Sequence, residues 1–325
     1  MLPKMLFTST LVTGTVIVIS SSSLISAWIG LELNLLSFIP LMIQDFNKSS
    51  SDAALKYFLT QAFASIFFLS AALFLFSMNF YYISNMISNT VLFSSLAMKM
   101  GAAPLHFWFP GVMQGISWNN CFILMTWQKL APLFLMTMVK TEALIIFILT
   151  SALVGAIGGY NQMLTRKIMA YSSINHIGWM LSSTMINQSM LLFYFFIYSL
   201  MSFIIIMMFM KWGISHLSQI LMMSTSKTPT LILATNLLSL GGIPPFLGFL
   251  PKWLIIYQMM STLPLQTFIL TMSSLITLYF YIRICYTLML KSPLLFVTAK
   301  FTVGKLLINM TLLSMMGALV LAPLA

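Results

Sequence analysis

The sequence predicts an all-α polytopic membrane protein with about eleven transmembrane helices, and three observations support this fold class. Hydrophobic residues make up 60% of the 325 residues and charged residues only 6%. Nearly uncharged runs recur that are long enough to cross a bilayer. The loops between these runs are short, and their lysines are distributed asymmetrically. A soluble domain of this length would not carry so much apolar surface.

Polar residues and helix-breaking prolines and glycines divide the apolar sequence into eleven predicted segments. These lie at 3–21, 24–43, 55–78, 88–108, 116–138, 142–160, 167–185, 189–210, 228–260, 264–286 and 303–323. The first segment has the charge pattern of a signal peptide, but no clear A-x-A-like site follows it. A first transmembrane helix is therefore the preferred interpretation. The chain, 1–325, is predicted to form a single transmembrane domain.

The loop charges provide an independent test of this count. With eleven crossings, the loops on the same side of the membrane as the N-terminus carry eleven Lys and Arg residues, and the loops on the opposite side carry only Lys140. This positive-inside bias accounts for twelve of the fifteen Lys and Arg residues and explains the net charge of +11 without nucleic acid binding. The eleven are Lys4, Lys48, Lys56, Arg166, Lys167, Lys211, Lys227, Arg283, Lys291, Lys300 and Lys305.

The segment 228–260 is too long for one straight crossing. As a helix it would measure about 50 Å, against about 30 Å of hydrocarbon. Two crossings would make each half too short and would reverse the charge distribution of the segments that follow. We therefore expect one crossing with an unwound middle at GGIPP, because Pro removes backbone donors and Gly tolerates the freed geometry. Non-helical backbone at this depth has to face protein or water.

Four ionisable residues inside apolar segments are not explained by orientation: Glu32, Lys99, Lys129 and Lys252. A charge at the bilayer centre costs at least ~2.5–3.5 kcal/mol on insertion scales, so such residues usually have a function. Two structural explanations stay open. Glu32 and one lysine can form a buried ion pair that holds helices together, although two lysines then remain. Lys252 is near enough to a segment end to extend its ammonium to the interface.

A proton or cation relay is the functional explanation of the same residues. Desolvation disfavours the charged form of a lysine, so a buried lysine can exchange a proton near neutral pH, and a nearby carboxylate opposes this effect. Helix breaks at GAAP and GGIPP offer backbone carbonyls and water access. His106 and His176 are further candidates, because imidazole exchanges protons near neutral pH. For each histidine, a hydrogen-bonded core role is the alternative.

The sequence lacks the motifs that hold nucleotides and redox cofactors. It has no GxGxxG after a strand, no Walker loop and no cysteine cluster. Cys121 and Cys285 lie far apart in apolar segments and are predicted to be small core residues. We expect no cofactor or metal on this chain, so the energy for any ion pumping has to come from partner subunits.

Five stretches, taken in order, resemble one family. WIGLELNLLSFIPLM, MKMGAAPLHFWFP, WQKLAP, RKIMAYSSINHIGWM and LGGIPPFLGFLPKW are similar to the antiporter-like membrane subunits of mitochondrial NADH:ubiquinone oxidoreductase, respiratory complex I, which are related to Mrp-type cation/proton antiporters. The resemblance runs from about residue 24 to 260. It implies two inverted five-helix repeats with one discontinuous helix in each, and an N-terminus on the matrix side.

The resemblance also implies a role for each intramembrane charge. Glu32 of the GLE motif would pair with Lys99 of the MK-G motif. Lys129 of WQKLAP would be the central lysine, and Lys252 would end the relay.

The implied function is that of a membrane-arm subunit that couples NADH:ubiquinone electron transfer in other subunits to proton translocation. NADH, FMN, iron–sulfur clusters and ubiquinone would then be bound by those other subunits. The implied partners are further membrane-arm subunits and membrane lipids such as cardiolipin, and the implied location is the mitochondrial inner membrane. Two alternatives remain open: a structural scaffold that does not pump, and a free-standing cation/proton antiporter.

Overall fold

The structure is a computed structural model that describes residues 2–43, 47–77, 82–139, 141–222, 227–289, 309, 311, 312, 314 and 315. These residues form fourteen helices, and the only β-pairing among them is one isolated bridge between Leu164 and His216. The all-α fold class is confirmed. The predicted segment 303–323 lies almost entirely outside the described residues, as do Asp45, Lys140, Lys291, Lys300 and Lys305.

The chain divides into two compact units, Met1–Thr150 and Ser151–Ala325. In the first unit, α2 packs between α1 and α3, α4 and α5 pack on α3, and α7 contacts α1, α4 and α6. The helices of this unit are α1 (Leu2–Ser20), α2 (Leu24–Ile43), α3 (Lys48–Ser77), α4 (Tyr82–Met100), α5 (Trp108–Gly115), α6 (Trp118–Met125), α7 (Trp127–Met138) and the first turns of α8 (Ala143–Gly159). The single domain expected over the whole chain stays a prediction.

The second unit begins within α8 and is organised around α9, α10 and α14. Helix α10 packs on α9, α12 and α13, and α14 packs on α9, α11, α12 and α13. These helices are α9 (Thr165–Ile186), α10 (Gln188–Trp212), α11 (Leu217–Met222), α12 (Lys227–Gly241), α13 (Phe249–Met259) and α14 (Pro264–Met289). Helix α9 is unusual for its polarity, because its buried face carries Ser172, Ser173, Asn175 and His176.

Several helices are suited to crossing a membrane. Within the described residues, five stretches are long and apolar enough: Leu24–Ile43, Lys48–Leu75, Trp118–Met138, Gln188–Trp212 and Pro264–Met289. Three shorter apolar helices are Lys4–Ser20, Ala143–Gly159 and Pro229–Gly241. From residue 58 to residue 74, the exposed side chains of α3 are all apolar, as lipid contact requires. They include Leu59, Phe63, Ile66, Phe67, Leu73 and Phe74. The chain is a multi-pass membrane protein, and the count of eleven stays a prediction.

The helix break predicted at GAAP is confirmed: α4 stops at Met100, where Ala102 N–H bonds back to the Ala97 carbonyl, and Pro104 follows. One interruption was not predicted. The segment 116–138 is interrupted at Thr126 between α6 and α7. The Thr126 hydroxyl donates to the Phe122 carbonyl at 2.7 Å, a side-chain contact that bends helices.

The break predicted at GGIPP is confirmed. Helix α12 ends at Gly241 and α13 begins at Phe249, with no helix between them. The free backbone groups find partners nearby: Gly242 N–H bonds to the Leu238 and Ser239 carbonyls, and Leu247 N–H bonds to the Ser314 carbonyl. A break inside an apolar unit is stable only when its polar groups are satisfied in this way.

Close packing at the end of the break requires a residue without a side chain at Gly248. A Cβ there would overlap the Ser239 carbonyl oxygen, which is backbone and cannot move aside. We expect Gly248→Ala to destabilise the protein by about 1–3 kcal/mol or more, as overpacked sites do. The measurement is the thermal midpoint and the yield of purified protein.

Gly111→Ala is the matched control, because nothing lies within 4 Å of a Cβ at that position in α5. It should be neutral or slightly stabilising, since Ala is a better helix former than Gly. Equal thermal midpoints for the two variants would contradict the packing argument for Gly248.

Candidate functional site

In the first unit, Glu32 and Lys99 are brought together by helices that both pack on α3. Glu32 on α2 is half-buried, and Lys99 near the end of α4 is only 6% exposed. The carboxylate is close enough to the Lys99 ammonium to interact with it electrostatically. Its Oε1 atom is buried and has no hydrogen-bond partner among the described residues. The two side chains thus lie within electrostatic range of each other, and their pairing in a relay stays a prediction.

Polar residues that the sequence analysis did not single out surround this pair. Tyr57 on α3 also lies within electrostatic range of Glu32 and donates a 3.3 Å hydrogen bond to Gln128 Oε1. Gln61 Nε2 donates to the Lys99 carbonyl at 3.3 Å. These residues connect Glu32 and Lys99 to the start of α7. Polar side chains inside long apolar runs, such as Gln61, are the signal that could have identified them.

Lys129 occupies the first turn of α7, directly after the interruption at Thr126. It is 1% exposed and among the largest fully buried side chains in the described part of the chain. Its Nζ lies 5.4 Å from the centroid of the Phe109 ring, a distance at which an aromatic face attracts a cation. Lys129 is thus held in the interior of the first unit.

His106 lies in the non-helical stretch between α4 and α5. Its Nδ1 is 3.2 Å from the Pro104 carbonyl, and its ring lies 4.5 Å from the Phe107 ring. These contacts hold the imidazole within the break that follows Lys99. They are compatible with either role expected for this histidine, a relay member or a hydrogen-bonded core residue.

In the second unit, Lys252 turns back from the first turn of α13 onto the end of α12. Its Nζ donates to the Gly241 carbonyl at 2.9 Å and approaches the Leu240 carbonyl at 3.5 Å. The partial negative charge at a helix C-terminus favours a cation there. The ammonium also lies 5.8 Å from the centroid of the Trp179 ring. Lys252 is 6% exposed, so its charge points into the protein and not to the interface.

Gly242 makes room for this arrangement. Its φ of +81° favours glycine, and a Cβ there would lie 3.0 Å from Cδ and 3.1 Å from Nζ of Lys252. The break therefore both frees the carbonyls that Lys252 uses and leaves space for the lysine side chain.

His176 lies on the buried face of α9, one turn before Trp179. Its Nδ1 is 2.8 Å from Oη of Tyr194, and its ring centroid is 4.9 Å from that of Tyr198. The tyrosines belong to α10 and were not predicted as site residues. Their i, i+4 spacing in a long apolar helix is the sequence signal that marks them as one face.

The structure thus groups the predicted residues within each unit. Glu32, Lys99, His106 and Lys129 share the first unit, and His176 and Lys252 share the second. Each unit holds a buried lysine in the first turn after an interrupted helix. In the described part of the chain, no three His, Cys, Asp or Glu side chains come together as a metal site. Cys121 and Cys285 are both buried, and neither forms a disulfide with another residue that the structure describes.

A stability measurement separates a structural lysine from a functional one. Lys129→Met keeps the length of the side chain and removes a buried charge whose cost is at least ~2.5–3.5 kcal/mol on insertion scales. We therefore expect the thermal midpoint of Lys129→Met to equal or exceed that of the unchanged protein. A fall of several degrees would show that the ammonium serves mainly to hold the helices together.

Comparison with known proteins relates this site to a family. The model of the NADH:quinone oxidoreductase/Mrp antiporter transmembrane family matches residues 21–277. NADH-ubiquinone oxidoreductase chain 2 of Anopheles gambiae is 49% identical over 292 residues, 87% of this chain and 85% of that protein. The chain 2 protein of Locusta migratoria is 41% identical over 324 residues, 97% of this chain and 94% of that protein.

Solved structures share the fold. A chain of respiratory complex I from Thermus thermophilus with bound aureothin is similar with a TM-score of 0.85 at 24% identity, over 99% of this chain and 80% of that one. A chain of the Mrp complex from Dietzia sp. is similar with a TM-score of 0.80 at 14% identity, over 97% of this chain and 74% of that one. The resemblance inferred from the five stretches is confirmed: this chain belongs to the NADH:quinone oxidoreductase/Mrp antiporter transmembrane family.

Proposed function

We propose that this chain is an antiporter-like subunit in the membrane arm of respiratory complex I, and that its buried ionisable residues translocate protons. The observation that carries the proposal is the repeated placement of a buried lysine in the first turn after a helix interruption, Lys129 in one unit and Lys252 in the other. The identity of 49% to a chain named NADH-ubiquinone oxidoreductase chain 2 supports the assignment to that complex.

Proton transfer follows from the environment of the lysines. A lysine surrounded by apolar side chains is less stable as an ammonium than in water, so small changes nearby can make it gain or lose a proton. The Glu32 carboxylate stabilises the charge of Lys99. A movement or protonation of Glu32 would weaken that support, and the proton of Lys99 would become available for transfer towards Lys129. Buried groups that interact in this way titrate as a set.

The remaining parts of the proposal follow from the family. The electrons would flow in other subunits, which would bind NADH, FMN, iron–sulfur clusters and ubiquinone, and this chain would carry no redox centre. Its neighbours would be other membrane-arm subunits and lipids, cardiolipin among them, against faces such as the apolar face of α3. Its location would be the mitochondrial inner membrane, with the N-terminus in the matrix.

A substitution of Lys129 tests the transfer role. Lys129→Met removes a group that binds and releases a proton, so we expect the complex to assemble while the proton-to-electron ratio or the coupled NADH:ubiquinone turnover falls severalfold. The measurement is proton uptake and NADH oxidation in sealed vesicles that contain the whole complex. Lys56→Met is the matched control, because that lysine is exposed on α3. Unchanged ratio and turnover in Lys129→Met would refute the transfer role.

Glu32→Gln distinguishes a non-pumping scaffold from the proposed proton transfer, because it keeps the shape of the side chain and removes its charge. If Glu32 controls Lys99, coupled activity should fall in vesicles whose assembled complex is present in normal amount. Normal coupled activity would favour a scaffold that retains ionisable residues without using them.

The free-standing antiporter alternative is tested by purification under mild detergent. Our proposal expects the chain to be recovered in a large assembly that oxidises NADH. Recovery as a lone chain with cation/proton exchange in vesicles would contradict it.

A further inference from the structure

The second unit carries positive charges that its own sequence does not neutralise. Residues 151–325 contain nine Lys and Arg residues and no Asp or Glu. One of the nine is the buried Lys252, and the predicted orientation places the other eight on the same side of the membrane as the N-terminus. Those of the eight that lie among the described residues are Arg166, Lys167, Lys211, Lys227 and Arg283. Their counter-charge therefore has to come from outside the unit.

Arg283 on α14 lies beside the loop that joins α8 to α9. One terminal nitrogen of its guanidinium donates a 2.6 Å hydrogen bond to the Gln162 carbonyl. The loop is itself fixed, because Leu217 N–H donates to the Met163 carbonyl at 3.0 Å. Arg283 is half-buried, so part of its side chain stays at the surface. The guanidinium is thus held in one position by the backbone, in a unit without a carboxylate side chain to neutralise it.

Two stacked tyrosines lie next to this arginine. Tyr160, directly after α8, and Tyr279 on α14 have ring centroids 4.9 Å apart and ring planes inclined by only 14°. Tyr160 is within electrostatic range of Arg283. The side chains of Tyr160 and Tyr279 are 44% and 48% exposed. Exposed amphipathic rings of this kind are enriched at the level of the lipid headgroups, so the pair marks that level on this unit.

An apolar stripe runs along α14 on both sides of Tyr279. Its exposed side chains are spaced alternately three and four residues apart and therefore lie on one face of the helix. They are Leu265, Phe268, Met272, Leu275, Tyr279, Ile282, Tyr286 and Met289. From Leu265 to Tyr279 the helix rises about 21 Å, more than the ~15 Å that one leaflet contributes to the hydrocarbon core. An acyl chain whose headgroup lies near Tyr279 can therefore follow the stripe through its whole leaflet.

A phospholipid fits this arrangement better than a partner protein does. Its phosphate already lies at the level of the headgroups, and its acyl chain covers the apolar stripe. A partner helix could cover the stripe, but the acidic side chain that neutralises Arg283 would then sit on a helix surrounded by lipid, where a carboxylate is costly. A soluble acidic protein could reach the arginine but would leave the stripe uncovered. One anionic lipid molecule meets both requirements.

We propose that Arg283, Tyr160 and Tyr279 form a binding site for an anionic phospholipid of the leaflet on the N-terminal side. The guanidinium of Arg283 donates to the phosphate, the stacked rings flank the headgroup, and an acyl chain lies along the α14 stripe. An anionic headgroup is selected over a zwitterionic one, because a zwitterionic lipid brings its own cation and leaves the excess charge of the unit in place. The site requires only that the chain spans a membrane and does not depend on proton transfer.

Labelling of the whole complex by photoreactive lipids tests the site. The complex is reconstituted in phosphatidylcholine vesicles that contain a small fraction of phosphatidylglycerol or phosphatidylcholine with a diazirine in one acyl chain. Cross-linked peptides of α8 and α14 are then quantified by mass spectrometry. We expect the phosphatidylglycerol probe to label the α14 stripe about fivefold more than the phosphatidylcholine probe, the factor for one basic residue at an anionic lipid surface. Equal labelling by the two probes, or labelling by neither, would overturn the proposal.

Arg283→Gln assigns the preference to this arginine. The variant removes the charge that faces the phosphate, so the two probes should label the stripe equally. Lys56→Gln is the matched control, because it removes one exposed cation from the same side of the membrane in the first unit. It should leave the preference for phosphatidylglycerol unchanged. A preference that survives in Arg283→Gln would refute the site.

A second pair of variants keeps the hydrogen bond between Arg283 and Gln162, and it decides the proposal alone if Arg283→Gln does not assemble. Ile282 is 46% exposed on the stripe, next to the arginine. Ile282→Glu adds a carboxylate there and should abolish the preference, whereas Ile282→Gln has the same size without the charge and should retain it. The same preference in both variants, at equal amounts of intact complex, would contradict the proposal. Because the readout is labelling and not turnover, failure of the proton-transfer role and failure of the lipid site are distinguished.

Discussion

Burial of lysine ammonium groups among apolar helices is the constraint on which the other features depend. An ammonium loses its hydration there and needs partial negative charge from the protein. Regular helices cannot supply it, because their carbonyls are already bonded within the helix. At Lys252 the end of α12 provides carbonyl oxygens at 2.9 and 3.5 Å and Trp179 provides a ring face. The helix break and the buried charge are therefore parts of one arrangement.

In the two units, different groups stabilise the buried lysines. In the first, a carboxylate acts on Lys99, and Lys129 lies against Phe109 after an interruption of one residue, Thr126. In the second, the carbonyl oxygens of Leu240 and Gly241 and the ring of Trp179 lie around the ammonium of Lys252. The first unit can thus respond to a change in one charge at Glu32. The second depends on the hydrogen bonds from the Lys252 ammonium to the carbonyls at the end of α12.

Much of the fold followed from the sequence because its causes are local. Apolar runs, prolines and glycines predicted the helices and the GGIPP break, and the cost of intramembrane charge singled out Lys129 and Lys252. The interruption at Thr126 was missed because a threonine in a helix is common, and its hydroxyl contact depends on local geometry. The contact of Tyr194 with His176 joins residues on two helices, so it depends on tertiary packing that spacing in one chain does not reveal.

The central claim is that the buried lysines exchange protons and do not act only as fixed positive charges. Lys252→Arg tests this most directly, because a guanidinium keeps the charge but does not lose its proton in proteins. The measurement is the proton-to-electron ratio of the whole complex in sealed vesicles, at confirmed assembly. If Lys252 has to release its proton, the ratio or the coupled turnover of Lys252→Arg falls severalfold. A ratio and turnover equal to those of the unchanged complex would contradict it.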